Sequence, residues 1–295
     1  MLLIVLRKSS MQDKNNNFPA FYNGKYLNIH EISISPLDRG FLFGDSIYEV
    51  IPVYAGKTLA QDMHLQRLID GLSAIGIPSP HAINEWRNIT KPFLDSSLQA
   101  QLIYIQVSRG QEPQRKHRFP VNCEPNILIF SNHFKPPIDL DYPGCAGHLQ
   151  QDLRWQRCDI KSTSLMGNVL AYHKLHSEGV ANDEALLVRD GKVVEAPSSN
   201  LFAYKEGVIY TCALDNILGG VTRKQNIQLA QELGLKVVEE APSCEFIKTA
   251  QEVWVTNSME ELKPIVSIDG QPIGNAVPGN IWKQLFQAYQ VLKTN

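Results

Sequence analysis

Apolar and polar residues alternate through "AFYNGKYLNI", and the Asn23-Gly24 pair at its centre predicts a tight hairpin. The pattern returns in "YEVIPVYAGKTLA" around Ala55-Gly56, so the ordered chain opens as a meander. The period then changes. In "DMHLQRLIDGLSAIGI" the apolar Leu65, Leu68, Ile69, Leu72 and Ile75 recur at helical spacing, and "INEWRNITKPFLDSSL" predicts another helix. The β-branched runs "AQLIYIQVSRG" and "PNILIFSNHF" are bounded by turn residues and predict strands.

From Lys135 to Gly144, "KPPIDLDYPG" gathers prolines and carries no period, which predicts an interdomain linker over 135–144. It divides the chain into a lead-in over 1–17, a smaller α/β domain over 18–134 and a larger domain over 145–295. The second half begins with a strand through "GHLQQDLRW" and a helix over roughly "SLMGNVLAYHKLHSEG". Short strands follow in "EALLVRDGKVVEA", "NLFAYKEGVIYT" and "EVWVTN", and the helix "VTRKQNIQLAQELG" stops at Gly234. The class is therefore α/β (α+β) with two domains, as the length of 295 residues also suggests.

Composition narrows the partners. Lys and Arg number 28 against 30 Asp and Glu, so no bulk charge draws nucleic acid or an anionic membrane, and a small, locally recognised molecule is expected. The apolar "MLLIVL" is far too short for a membrane helix, and its charges follow it rather than precede it as in a secretory signal. "RKSSMQDKNNN" predicts a disordered lead-in with Met11 as an alternative start. Five scattered cysteines, with no C-x-x-C, fit neither a disulfide framework nor a structural zinc site and suit a reducing cytoplasm. No H-E-x-x-H occurs, and His173 with His176 lie on an expected solvated helix face, so no metal site is assigned.

Three features carry candidate chemistry. "RCDIKSTSLMGN" sets Lys161 where a strand hands over to a helix, and any single lysine chosen blind is more often a solvated one. "NILGGVTRKQ" leads two glycines into a helix start, whose amides and dipole suit a phosphate, although the stretch taken alone is better explained by a plain turn with a Thr222–Gln225 capping box. Glu195 closes the strand-like "GKVVE" before "APSSN". No P-loop and no strand-borne G-x-G-x-x-G is present, so a small phosphate ester fits the cup better than a nucleotide. A lysine, a phosphate cup and an acid together suit pyridoxal 5'-phosphate.

The ordered motifs "SPLDRGFLFGDSIYEV", "HLQRL", "RKHRFP", "RCDIKS", "DEALLVRDGKVVEAPSSNLF", "ILGGVTR" and "VWVTNSMEELKP" resemble those of the fold type IV (class IV) pyridoxal phosphate aminotransferases, the D-amino acid enzymes above all. The resemblance spans nearly everything after the lead-in. It implies that Lys161 is the Schiff-base lysine and general base, Glu195 the acid on the pyridine nitrogen, and Arg67 the phosphate arginine. Val221 and Thr222 would complete the phosphate cup, and Ser198, Ser199, Asn200, Leu218, Asn257 and Ser258 would line the rest of the cofactor site. Tyr48, Arg115 and His117 would trap the substrate carboxylate, with Met259 nearby. The Arg-x-His pair would reach a partner subunit's site, which implies an obligate homodimer with shared active sites.

The implied reaction moves the amino group of a D-amino acid such as D-alanine to a 2-oxo acid, 2-oxoglutarate, in ping-pong fashion. Ala196 and Pro197 stand where D-selective relatives show Gly and Ser, and Asn257 and Met259 where smaller residues are common, which bears on the substrate rather than the cofactor. Branched-chain L-amino acid aminotransferases, R-selective amine transaminases and aminodeoxychorismate lyase are the alternatives of the same fold. "GGVTR" and the Arg115–His117 pair speak against the lyase, and the pair speaks less strongly against the branched-chain enzymes. A non-catalytic pyridoxal phosphate-binding protein is the alternative of another class.

Overall fold

Nine residues of unbroken strand, Ser46–Tyr54, form the spine of the first of two sheets. The structure is a computed structural model that describes residues 18–120, 122–136 and 138–294; the lead-in and Met11 lie outside them. The first sheet comprises β1 (Pro19–Tyr22), β2 (Lys25–Asn28), β3 (Ser46–Tyr54), β4 (Lys57–Thr58), β5 (Ala100–Ser108) and β6 (Asn126–His133). Its order is β2-β1-β6-β5-β3-β4, antiparallel throughout. Both predicted hairpins are present, with Asn23 and Ala55 in the left-handed region their turns require.

Helix α1 (Arg39–Phe43) precedes β3, and α2 (Gln61–Ala74) lays Leu65, Leu68 and Leu72 on the sheet against Ile47, Ile103 and Ile105. The next helix, α3 (Ile83–Thr90), is shorter than expected. A 3-10 turn over Lys91–Phe93 ends it, because Pro92 brings no amide to continue the ladder and the Thr90 hydroxyl donates back to the Trp86 carbonyl.

The second sheet contains β7 (Cys145–Gln151), β8 (Glu184–Arg189), β9 (Lys192–Glu195), β10 (Asn200–Lys205), β11 (Val208–Thr211), β12 (Lys236–Glu239), β13 (Glu252–Asn257), β14 (Glu261–Ile268) and β15 (Gln271–Pro272). Its order is β12-β11-β10-β13-β14-β7-β8-β9, and β9 pairs again with β10 through Glu195 and Asn200. Six strands therefore close on themselves as a barrel. The strand expected through Trp155 stops earlier, at Gln151: Asp152 N–H makes a last bond to the Val188 carbonyl, and the Asp152 carboxylate then accepts from the Arg154 amide at 3.1 Å, turning the chain out of the ladder. Helices α4 (Met166–Ser177), α5 (Val221–Glu232), α6 (Cys244–Lys248) and α7 (Asn280–Leu292) pack around it.

No expectation covered α7, although Trp282, Leu285, Phe286 and Tyr289 recur at helical spacing and are all buried. Glu252 fixes its start by accepting from the amides of Ile281 and Trp282 at 3.0 and 2.8 Å. One apolar cluster joins these side chains to Phe202 and Trp254 of the barrel, to Tyr54 and Ala100 of the first sheet and to Leu59 just after β4. Glu261 ties the same junction, accepting from the Tyr54 hydroxyl at 2.9 Å and from Lys293 at 2.7 Å. Among the described residues no helix is long and apolar enough to cross a membrane.

Trp282 is fully buried and its indole donates to the Leu262 carbonyl at 3.1 Å. Trp282→Ala is expected to remove about 3–5 kcal/mol of stability, read as a lower urea midpoint; an unchanged midpoint would show that α7 does not hold the two sheets together.

Candidate active site

The segment that carries Lys161 crosses from the barrel to the first sheet. Tyr48 N–H donates to the Lys161 carbonyl at 3.0 Å and Thr163 N–H to the Ser46 carbonyl at 3.1 Å, so residues around 162 add a short rung to β3. The Ser46 and Thr163 hydroxyls bond each other alongside. Lys161 thus lies in an irregular segment held by β3, with α4 starting only at Met166. Its ammonium sits 4.1 Å from the centre of the Tyr48 ring, within the range of a cation–π contact. Close packing maintains the crossing: Gly44 has φ +66°, and a Cβ there would come within 2.5 Å of the Ser164 hydroxyl.

Glu195 faces the same cavity, together with Ser198, Ser199, Asn200 and Leu218. Its position follows from barrel closure, since Glu195 is the residue through which β9 meets β10. One carboxylate oxygen, Oε2, accepts from Asn200 Nδ2 at 3.2 Å and from the Leu218 amide at 3.3 Å. The other, Oε1, lies 2.9 Å from Arg154 Nη1 as an ion pair but out of line for a hydrogen bond. Burial pushes the Glu195 carboxyl up to about 7, and Arg154 offsets only part of that rise. Arg154 is itself held by Asp152 through two bonds of 2.9 Å. Sequence reasoning passed over Arg154, which the quoted "DLRW" carries as one arginine among several.

On the other side, Arg67 of α2 donates to the Gly219 carbonyl at 3.0 Å. It borders a depression with Gly219, Gly220 and Val221, where α5 begins. Gly220 is the cap residue and no side chain caps the helix, so the Thr222–Gln225 capping box does not form. Thr222 and Val221 are both buried at the first turn. A Cβ at Gly220 would lie 2.1 Å from Asn200 Oδ1, which is why glycine stands there. Helix starts leave amides without intrahelical partners, and such a turn beside a guanidinium suits a phosphate.

Arg67 is aimed by a residue absent from the expected site. Glu49 of β3 is fully buried and accepts from Arg67 Nε and Nη2 at 2.8 and 2.7 Å, while His64 Nδ1 lies 2.9 Å away. Burial opposes ionisation of Glu49, but Arg67 and His64 outweigh it and hold the carboxyl well below the usual carboxylate range. A bare carboxylate in an apolar strand, between Tyr48 and Val50, was the signal for it.

The remaining expected residues are less closely gathered. Asn257 ends β13, donates to the Ser199 hydroxyl at 2.8 Å and accepts from the amides of Met259 and Glu260. Ser258 is half-buried in that turn; Met259 is exposed and faces a different cavity from Lys161. Arg115 and His117 lie exposed in the loop between β5 and β6, both against Phe43, at 5.0 and 5.4 Å from its ring centre. Arg39 pins that loop by donating to the Lys116 carbonyl at 2.7 Å. Within one chain, the structure does not bring this pair into the Lys161 cavity. Phe43 does border a wider cavity of about 1110 Å³, which shares Arg154, Trp155, Ser164, Leu165 and Asn168 with that of Lys161.

A lysine and a buried acid share one cavity, and Leu218 on its wall leads directly into the separate depression where Arg67 meets the start of α5, an arrangement suited to an aminotransferase that works through a bound aldehyde cofactor. Residues 46–268 match the family model for amino-transferase class IV, and the chain belongs to that family, whose cofactor is pyridoxal 5'-phosphate. D-alanine aminotransferase of Staphylococcus aureus (strain N315) is 36% identical over 92% of this chain and 96% of its own. The enzyme of the same name from Bacillus licheniformis is 35% identical over 92% and 95%. Among solved structures, the branched-chain amino acid aminotransferase of Escherichia coli superposes with a TM-score of 0.85 at 21% identity, covering 94% of each chain. That of the archaeon Thermoproteus uzoniensis, with norvaline, gives 0.83 at 21% identity over 94% and 95%. A further branched-chain amino acid aminotransferase, complexed with N-(5'-phosphopyridoxyl)-L-glutamate, gives 0.84 at 22% identity over the same shares. These three show the fold.

The residues present fit the cofactor: Glu195 Oε1 is buried, lacks a hydrogen bond and belongs to an acid that gains from a facing N–H cation. Glu49→Gln would strand the Arg67 guanidinium against a neutral amide. The expected cost is about 3 kcal/mol, measured by chemical denaturation; equal stability would mean that Arg67 finds its place without Glu49.

Proposed function

We propose that the protein is a D-amino acid transaminase that takes the amino group of a substrate such as D-alanine and passes it to a 2-oxo acid such as 2-oxoglutarate. The observation that carries this reading is the shared cavity of Lys161 and Glu195, in a chain more than a third identical to D-alanine aminotransferases over nearly its whole length. Pyridoxal 5'-phosphate supplies an aldehyde to receive the amino group and a ring that draws electrons from the substrate Cα. Lys161 Nζ would hold the cofactor and then carry the proton between the substrate Cα and the adjoining cofactor carbon. Glu195 Oε1 would take the N–H of the ring and be stabilised as the anion by it. Arg67, Val221 and Thr222, with Ser199 oriented by Asn257, would hold the phosphate, and Ser198, Asn200, Leu218 and Ser258 would complete the surroundings.

For the substrate carboxylate this reading uses Tyr48 with Arg115 and His117, the latter two supplied by a second copy, and it leaves Met259 at the margin of the site. Support for a homodimer comes from the rim of the wide cavity. Phe41, Leu153 and Met166 are 74%, 81% and 70% exposed there, with Ile34 and Trp155 beside them. An apolar surface of this kind suits a partner, and Arg115 and His117 stand against Phe43 at its edge. The reading includes a division into domains over 18–134 and 145–295, and a reducing cytoplasm is the expected compartment for its unpaired cysteines.

The deciding experiment follows the visible absorbance of the cofactor-loaded protein after D-alanine or, separately, L-leucine, with no acceptor present. Bleaching by D-alanine alone is expected, and by neither substrate in Lys161→Ala; bleaching by L-leucine alone would transfer the assignment to the branched-chain enzymes. Arg115→Ala is expected to lower kcat/KM for D-alanine and 2-oxoglutarate by about 1.5–3 kcal/mol. Leu153→Glu should convert a sedimenting dimer into an inactive monomer, whereas a fully active monomer would remove the shared site from this account.

A further inference from the structure

The turn 196–199 that leads from Glu195 into β10 is held from several elements. Ala196 N–H donates to the Ser199 carbonyl at 2.8 Å, Asn168 of α4 donates to the Pro197 carbonyl, and Asn257 donates to the Ser199 hydroxyl. Ser198 is held by Tyr172, one helical turn beyond Asn168 on α4, with the two hydroxyl oxygens 2.6 Å apart. The Tyr172 hydroxyl also lies 3.1 Å from Glu184 Oε1. Ser198 sits on a wall between two cavities, that of Lys161 and a second of about 630 Å³ bordered by Glu184, Glu260 and Lys263.

We propose that Tyr172 is a positioning residue that sets the direction of the Ser198 hydroxyl proton, and thereby how firmly Ser198 holds an anionic oxygen of the bound cofactor. The proposal rests on the reading of the Lys161 cavity given above. Proton counting carries it. A tyrosine has one hydroxyl hydrogen, and an ionised carboxylate can only accept. With Glu184 ionised, Tyr172 donates to Glu184, and the 2.6 Å contact then requires Ser198 to donate to Tyr172. Ser198 is left with lone pairs alone for the Lys161 cavity, so it offers no proton to an anionic oxygen there. With Glu184 protonated the chain reverses: Glu184 donates to Tyr172, Tyr172 donates to Ser198, and the serine proton is free to turn into the cavity.

The groups around Glu184 make both states accessible. Lys263 of β14 lies 3.3 Å from its Oε2 and is shared with Glu260 at 3.1 Å. Cys145 of β7 faces it as a neutral thiol, which burial pushes up to about 12. Burial of Glu184, aided by Glu260 and opposed by Lys263, pushes its carboxyl up to about 7. Burial likewise raises Tyr172, which keeps its phenol protonated throughout.

The test uses purified protein loaded with pyridoxamine 5'-phosphate, which Lys161 does not hold covalently, and follows its release into a trap that consumes free cofactor. At pH 8, Tyr172→Phe should slow release roughly three- to tenfold, the worth of one added hydrogen bond, because the Ser198 proton is no longer drawn away. The slowing should vanish when Ser198→Ala is combined with it. Lowering the pH from 8 towards 6 should slow release more in the wild type than in Tyr172→Phe. Release that is unchanged or faster in Tyr172→Phe, or a slowing that survives without Ser198, would overturn the proposal while leaving the cofactor site intact. Wild-type protein that takes up no cofactor would instead sink the reading of the cavity, and this proposal with it.

Discussion

The bond from Tyr48 N–H to the Lys161 carbonyl joins a segment of the barrel to a strand of the other sheet. Without that rung, the lysine would belong to a loop between β7 and α4 with nothing to fix its reach. With it, Lys161 stands over the Tyr48 ring and in the same cavity as Glu195. The buried Glu49–Arg67 pair repeats the arrangement one residue along β3, because its arginine reaches across to the Gly219 carbonyl. Neighbouring residues on one strand, Tyr48 and Glu49, thus set where Lys161 and Arg67 stand relative to each other.

Electrostatics divides the site in two. At the Arg67 end the charges are paired and the carboxylate of Glu49 is held ionised. At the Glu195 end the balance is incomplete: Arg154 is shared with Asp152, so it stabilises Glu195 less than an undivided partner would. A buried acid left near neutrality is costly for a bare protein and suited to one that receives a cationic group there.

Much of this was legible in the sequence. Both early hairpins, α2 and the strands β5 and β6 follow from period and turn residues, and the family resemblance carried Lys161, Glu195 and Arg67. What period does not reveal is closure: β7 pairs with β14 and with β8 across long stretches of chain, and no local pattern encodes which strands meet. Glu49 and Arg154 escaped for a related reason. Each is a polar residue whose task depends on a partner distant in the chain, and in the sequence each reads as an ordinary charge. The helix α7 is a different case, since its apolar period was plain and simply not assigned. Arg115 and His117 stand apart as well, because their expected task involves a surface that one chain does not contain.

The rung that closes the barrel also bears on how the chain reaches its native state. Glu195 and Asn200 are nearly adjacent in sequence, so the turn that orients the acid needs little loop closure and can form early. Lys161 finds Tyr48, and β7 finds β14, only across long stretches of chain. The acid is therefore shaped by a local event and the lysine by a distant one, so the two residues that share the cavity mature at different moments of folding.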